Sequence, residues 1–244
     1  MKTTKFLIAV GIMLIFSQVF AQDPTKRTNN LINDGPEAGE SAHRGGMNAG
    51  GSIGDMPLGG TTGSAYLNRK WQEGIIIMND KSVITGNKFR YNIYTQQMQF
   101  INDGDTMAIA NAEEIKFIRF ADKVFVYTDY SSKGELKQGY FELLKDGECS
   151  LLKRWVVSYH LVEGDAQQRL STSGDKEEFI RECNCFLKFG NQPATALQNR
   201  KKDFVNCFDA DSDKIDAFMK KGKLKHKNEA DLLEVVAYYN QVHQ

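Results

Sequence analysis

Apolar residues fall at every second position in the stretch FRYNIYTQQMQF, residues 89–100. Phe89, Tyr91 and Ile93 share one face of an extended chain, and Arg90, Asn92 and Tyr94 share the other. After a polar turn at 95–97, Met98 and Phe100 return to the first side. This is the pattern of a half-buried hairpin, a surface on which aromatic and β-branched residues pack well. A stacking platform for bases would need a basic groove to hold phosphates, and the second face offers only Arg90 and Asn92. The run is therefore read as core.

Similar runs continue on both sides. Strands are expected over 74–79, 89–94, 97–102, 106–110, 114–120, 124–130, 139–145, 149–161 and 179–189. Turn chemistry stands between many of them, at Gly86-Asn87, Asp103-Gly104, Ala121-Asp122 and Asp146-Gly147, and a polar loop is expected around 171–175. Connections this short favour antiparallel neighbours.

The last 45 residues change period. Ile215, Phe218 and Met219 sit at helical spacing, and Gly222 is placed to end that helix in a left-handed cap. Asn228 with Asp231 forms an N-terminal cap signature, and Leu232, Val235, Val236 and Tyr239 make one apolar stripe. The expected class is α+β. An antiparallel β-meander, as a sandwich or half-barrel, spans 64–244 as one domain, with a helical pair at about 200–244.

The first 63 residues read differently. Lys2 and Lys5 precede an apolar run at 6–16, and Val19 and Ala21 stand where a signal peptidase reads. The run is shorter than the ~20 residues of a spanning helix. A secretory signal cleaved after Ala21 is expected, which places the protein in a secreted or periplasmic compartment with no transmembrane segment. Residues 22–63 hold ten Gly among 42 positions and few large apolar residues, so a flexible linker is expected. Within it Gly50-Gly51-Ser52-Ile53-Gly54 matches G-x-S-x-G, but neither flank supplies the strand and helix that a nucleophile elbow needs.

Charge and cysteine content narrow the function classes. The signal holds two Lys and no acid, so 29 of the 31 basic residues remain beside 31 acidic ones. That balance exerts no long-range pull on nucleic acid. An exported chain with Cys149, Cys183, Cys185 and Cys207 has three possible full disulfide connectivities. Cys183 and Cys185 face one side of a strand, so disulfides, free buried thiols and a metal-binding pair are all open readings.

GSAYLNRKWQEGIII, FRYNIYTQQMQF and VFVY, with KKGKLKHKNEADLLEVVAYYN near the end, carry a resemblance. Gly63–Asn68, Arg90–Tyr94 and Met98–Phe100 resemble the G-S-x-Y-L-N opening, R-Y-N-x-Y hairpin and M-x-F strand of a family of secreted, functionally uncharacterised Bacteroidota-type proteins. The resemblance spans roughly 63–240. It implies the location and architecture above, and no catalytic residues.

The remaining constellations carry little chemistry. Asp209, Asp211 and Asp213 alternate like a calcium loop, but Lys214 and Lys220 stand where that loop needs Gly and Glu. They read better as a helix start whose side chains accept orphan N–H groups. His160 has no evident partner acid. Glu113-Glu114 and Glu177-Glu178 are adjacent, so on a strand each pair splits between faces. Lys220, Lys221, Lys223, Lys225 and Lys227, with His226, form a basic run that either suits a helix C-terminus or touches an anionic surface.

No catalytic, cofactor or metal residue is assigned and no cofactor is expected. The function expected is an exported, non-enzymatic envelope module that binds an unknown envelope protein or lipid, and not nucleic acid. A periplasmic carrier of an apolar ligand such as lipid is the alternative.

Overall fold

The computed structural model describes residues 62–162 and 176–243. The expected signal at residues 1–21, most of the expected linker with Gly50–Gly54, and the loop expected around 171–175 lie outside the described residues.

Ten strands come first: β1 (Gln72–Met78), β2 (Val83–Asn92), β3 (Gln97–Asn102), β4 (Asp105–Ala108), β5 (Ile115–Phe120), β6 (Lys123–Ser132), β7 (Glu135–Lys145), β8 (Cys149–Val162), β9 (Lys176–Phe189) and β10 (Thr195–Ala196). Three helices follow: α1 (Lys201–Asn206), α2 (Ser212–Gly222) and α3 (Glu229–Val242). The strands form one sheet in the order β10-β9-β8-β7-β6-β5-β1-β2-β3-β4, antiparallel throughout and curled into a half-barrel. The hairpin signals act as expected at Asp103-Gly104, where both residues take positive φ and join β3 to β4 directly.

Two ties fix the curl. On one side the chain before β10 returns to β6. The Ser131 N–H donates to the Ala194 carbonyl, and the Ala194 N–H donates to Asp129, each at 2.9 Å. Tyr130, Phe141, Leu152 and Phe186 pack inside this fold of the sheet. On the other side, residues 62–66 run from Glu178 in β9 to Asn92 in β2. Gly63 lies against the Phe179 carbonyl at a φ of 79°, where a Cβ would come within 2.2 Å of that oxygen.

Phe89, Tyr91, Ile93, Met98 and Phe100 are at most 1% exposed and pack with Phe120, Phe125 and Tyr140 in one core cluster. The second face differs from expectation. Arg90 and Asn92 are buried too, because the segment before β1 covers them. The Arg90 guanidinium lies between the rings of Tyr66 and Trp71, 3.8 and 4.3 Å from their centroids.

Other expectations are corrected by local geometry. Gly86-Asn87 is no turn. It lies inside β2 at a bulge, with Gly86 at φ 85°, and the reversal falls at 79–82. Lys223, not Gly222, takes the left-handed position after α2. Asp211 stands at the N-cap of α2 without a side-chain capping bond, because its carboxylate pairs with Lys214 and His243. Glu113 and Glu114 lie on a 3-10 turn rather than a strand. The helical end holds α1 besides the expected pair.

Candidate functional site

Alternation along β7, β8 and β9 decides which side chains meet beneath the helices. Glu142 pairs in register with Lys153, Lys153 with Cys185, and Trp155 with Cys183. Directly paired residues share a face. The face under the helices therefore carries Glu142, Lys153 and Cys185 in one row, with Trp155 and Cys183 in the next.

Glu142 is the hub of this face. Its side chain is 8% exposed and accepts from Lys123 Nζ and Trp155 Nε1, each at 2.7 Å. The Lys153 side chain, 10% exposed, reaches Glu229 Oε2 at 2.5 Å, and its ammonium lies 5.3 Å from the Trp155 ring centroid. Glu229 begins α3, where the helix N-terminus favours a carboxylate. Burial pulls the Lys153 pKa down, but the Glu229 hydrogen bond and the fields of Glu142 and Glu229 outweigh it and hold the amine above its ordinary value. Each buried charge has its partner, as burial demands.

Beside this hub runs a groove of about 390 Å³, lined among others by Cys183, Cys185, Leu197, His226 and Glu229. Cys183 is exposed and Cys185 half-buried, and all four cysteines are free thiols. Burial first, then the Glu229 charge, pushes the Cys185 thiol up to about 11. His226 Nε2–H donates to the Asn199 carbonyl at 3.0 Å, and its ring leans on Phe204. Cys185 is held as a thiol and the His226 imidazole is committed to a carbonyl, so these two do not form an activated nucleophile–base pair. Among the described residues, no three His, Cys, Asp or Glu side chains gather to hold a metal ion.

The other two cysteines lie in the seam between helices and sheet. Cys149 opens β8 fully buried, and burial raises its thiol to about 12. Cys207 follows α1 and donates to the Asp203 carbonyl; burial, then Asp209 and Asp203, raises its pKa. His160 is exposed at hydrogen-bond distance from Ser158, away from this site. Lys220 pairs with Asp216, while Lys221, Lys223, Lys225 and Lys227 are exposed along the α2–α3 connection.

The sequence reading overlooked Glu142, Lys123, Trp155 and Glu229 as a group. A signal was present. Glu142 stands at the inward phase between Tyr140 and Leu144, and Lys153 at the inward phase between Leu151 and Trp155. A charge at the buried phase of two consecutive strands asks for a partner.

Comparison with protein families, with curated proteins and with solved structures finds no match for this chain.

Proposed function

We propose that this chain is an exported, non-enzymatic cell-envelope module whose helical end binds a protein or envelope component. One observation carries the reading. One face of the sheet is filled by its own aromatic and other apolar side chains, with Phe89, Phe125 and Met98 at 0% exposure, so recognition falls to the surface at the helical end. There the thiol-lined groove and the lysine-rich connection lie side by side. The expected signal at residues 1–21 supports export, and the protonated Cys185 thiol favours binding over catalysis.

The test is a mass measurement on protein purified from the secreted or periplasmic fraction, first native and then denatured without reductant. The expected result is a chain beginning at Gln22 with no small-molecule excess. A lipid-sized excess lost on denaturation would replace this reading with a carrier of an apolar ligand. A chain that stays in the cytosol with residues 1–21 attached would overturn export. The denatured mass should equal the calculated one, as four free thiols require, and a deficit of one or two pairs of hydrogens would show disulfides instead.

A further inference from the structure

The connection between α2 and α3 alternates in a way no loop requires. Leu224 and His226 turn inward, Leu224 onto the helical core and His226 onto Phe204 and the Asn199 carbonyl. Lys223, Lys225 and Lys227 are exposed between and beside them, and Lys221 is exposed one turn earlier. The backbone that presents them is fixed at several points. Lys223 holds the left-handed cap, Leu224 N–H donates to Met219 at 2.9 Å, and Lys225 N–H donates to Asp231 Oδ2 at 2.7 Å.

The acids nearby are already engaged. Asp216 holds Lys201 at 2.9 Å and Lys220 at 2.6 Å, Glu229 holds Lys153, and Asp231 takes a backbone N–H. Among the described residues Lys221, Lys223, Lys225 and Lys227 have no acidic partner within ion-pair distance. Four cations without an ion-pair partner therefore stand along one short ridge, with the Asp231 carboxylate behind them, on a chain whose formal charge is zero.

From this ridge we propose a docking surface for a membrane leaflet rich in anionic phospholipid, a partner that deepens the exported binding module proposed above and rests on it. The chemistry recognised is the phosphate headgroup. A ridge of outward lysines suits a broad anionic surface. Single-stranded nucleic acid would ask for a groove with aromatic platforms, and here Leu224 and the His226 ring are turned into the protein. With no apolar side chain on the ridge, binding is peripheral and reversible. It falls off within a Debye length of about 10 Å at 0.1 M salt.

The test uses the purified exported chain and vesicles of 30:70 phosphatidylglycerol and phosphatidylcholine, against vesicles of phosphatidylcholine alone. A lysine near an anionic surface contributes roughly fivefold in partition, so four contribute about six-hundredfold. The expected result is sedimentation with the anionic vesicles at low salt, lost at 0.5 M salt. Replacing Lys221, Lys223, Lys225 and Lys227 by Gln should abolish it with an unchanged thermal midpoint, and replacement by Arg should preserve it. Equal binding to both vesicle types, or anionic binding unaffected by the Gln variant, would overturn the ridge. Retention on heparin or inorganic phosphate without vesicle binding would assign it to soluble polyanions and overturn the lipid partner. The mass of the exported chain reports separately on the export reading, so the two failures are distinguishable.

Discussion

At the scale of single residues, Asn240 joins helix to sheet. It is 6% exposed, its Oδ1 accepts from the Cys149 N–H at 2.8 Å, and its Nδ2 donates to the Cys149 carbonyl at 2.9 Å. A side-chain amide thus pairs with the first residue of β8 as a neighbouring strand would. Gly147 lies so close that a Cβ there would come within 2.2 Å of Asn240 Nδ2. Asn240→Ala leaves both backbone groups of a fully buried residue unpaired, a loss of about 3 kcal/mol at 1–3 kcal/mol per group. Asn240→Asp keeps one acceptor but sets a carboxylate against a carbonyl, and should be no better. Urea midpoints measure both, with exposed Gln241→Ala expected within about 0.5 kcal/mol of the parent. A cost under about 1 kcal/mol for Asn240→Ala would mean that water replaces the amide in the seam. Nothing in AYYNQVHQ marks this asparagine. Its role comes from a partner 91 positions away.

At the scale of elements, the turn between β2 and β3 holds the far half of β8. Ladder pairing of β7 with β8 reaches only from Lys145 to Glu142, and beyond Lys153 the tip residue Gln96 makes contact instead. Its Nε2 donates to the carbonyls of Ile93 at 2.6 Å and Trp155 at 3.0 Å; its Oε1 accepts from Tyr91 and Arg154, each at 3.1 Å. Gln96 also sits at a φ of 57°. Gln96→Ala loses four bonds and keeps the strained backbone, so a loss of about 2–3 kcal/mol is expected. Gln96→Gly loses the same bonds but relieves the backbone, and should recover about 1 kcal/mol of it. Equal stability of Gln96→Ala and the parent would show that the bonds contribute nothing. In both variants amide exchange should quicken at 93–97 before the rest of the sheet.

The same scale shows what the sequence could express. Alternating or short apolar runs between turn signals located nine strands, and the stripe Leu232, Val235, Val236 and Tyr239 located α3. Asn228 caps that helix as its spacing foretold, accepting from Asp231 N–H at 3.0 Å. Missing elements were too short for a period: β10 has two residues and α1 six. Gly86-Asn87 misled because positive φ serves a bulge as well as a turn. The second face of β2 misled because Tyr66 and Trp71, more than fifteen residues upstream, decide whether Arg90 meets water. Of the candidate site, the Cys183 and Cys185 pairing was legible from strand geometry, while the Glu142 hub depended on register between strands.

At the scale of the whole molecule, the interior is lined with neutral groups that water would ionise at high pH. Burial raises the phenols of Tyr91 and Tyr140, Arg154 opposing in the first and Tyr127 adding in the second, and it raises the thiol of Cys149 to about 12. A folded pKa above the unfolded one gives stability that is fully present below the unfolded value. That stability is lost as pH rises toward the folded value. Thiols ionise near 8.5 and phenols near 10 in an unfolded chain, so stability should be level from pH 7 to about 8.5 and then fall. The Cys149 share of that fall is about 2 kcal/mol by pH 10, at 1.36 kcal/mol per unit. Half-buried Cys185 adds less. Urea midpoints at pH 7, 9 and 10 check the curve. In Cys149→Ala the fall between 8.5 and 10 should shrink by about that amount, whatever the variant costs at pH 7, while the steeper loss above 10 from the tyrosines remains. An unchanged slope in Cys149→Ala would mean that this thiol reaches solvent, and that the seam under α3 opens well below the global unfolding free energy.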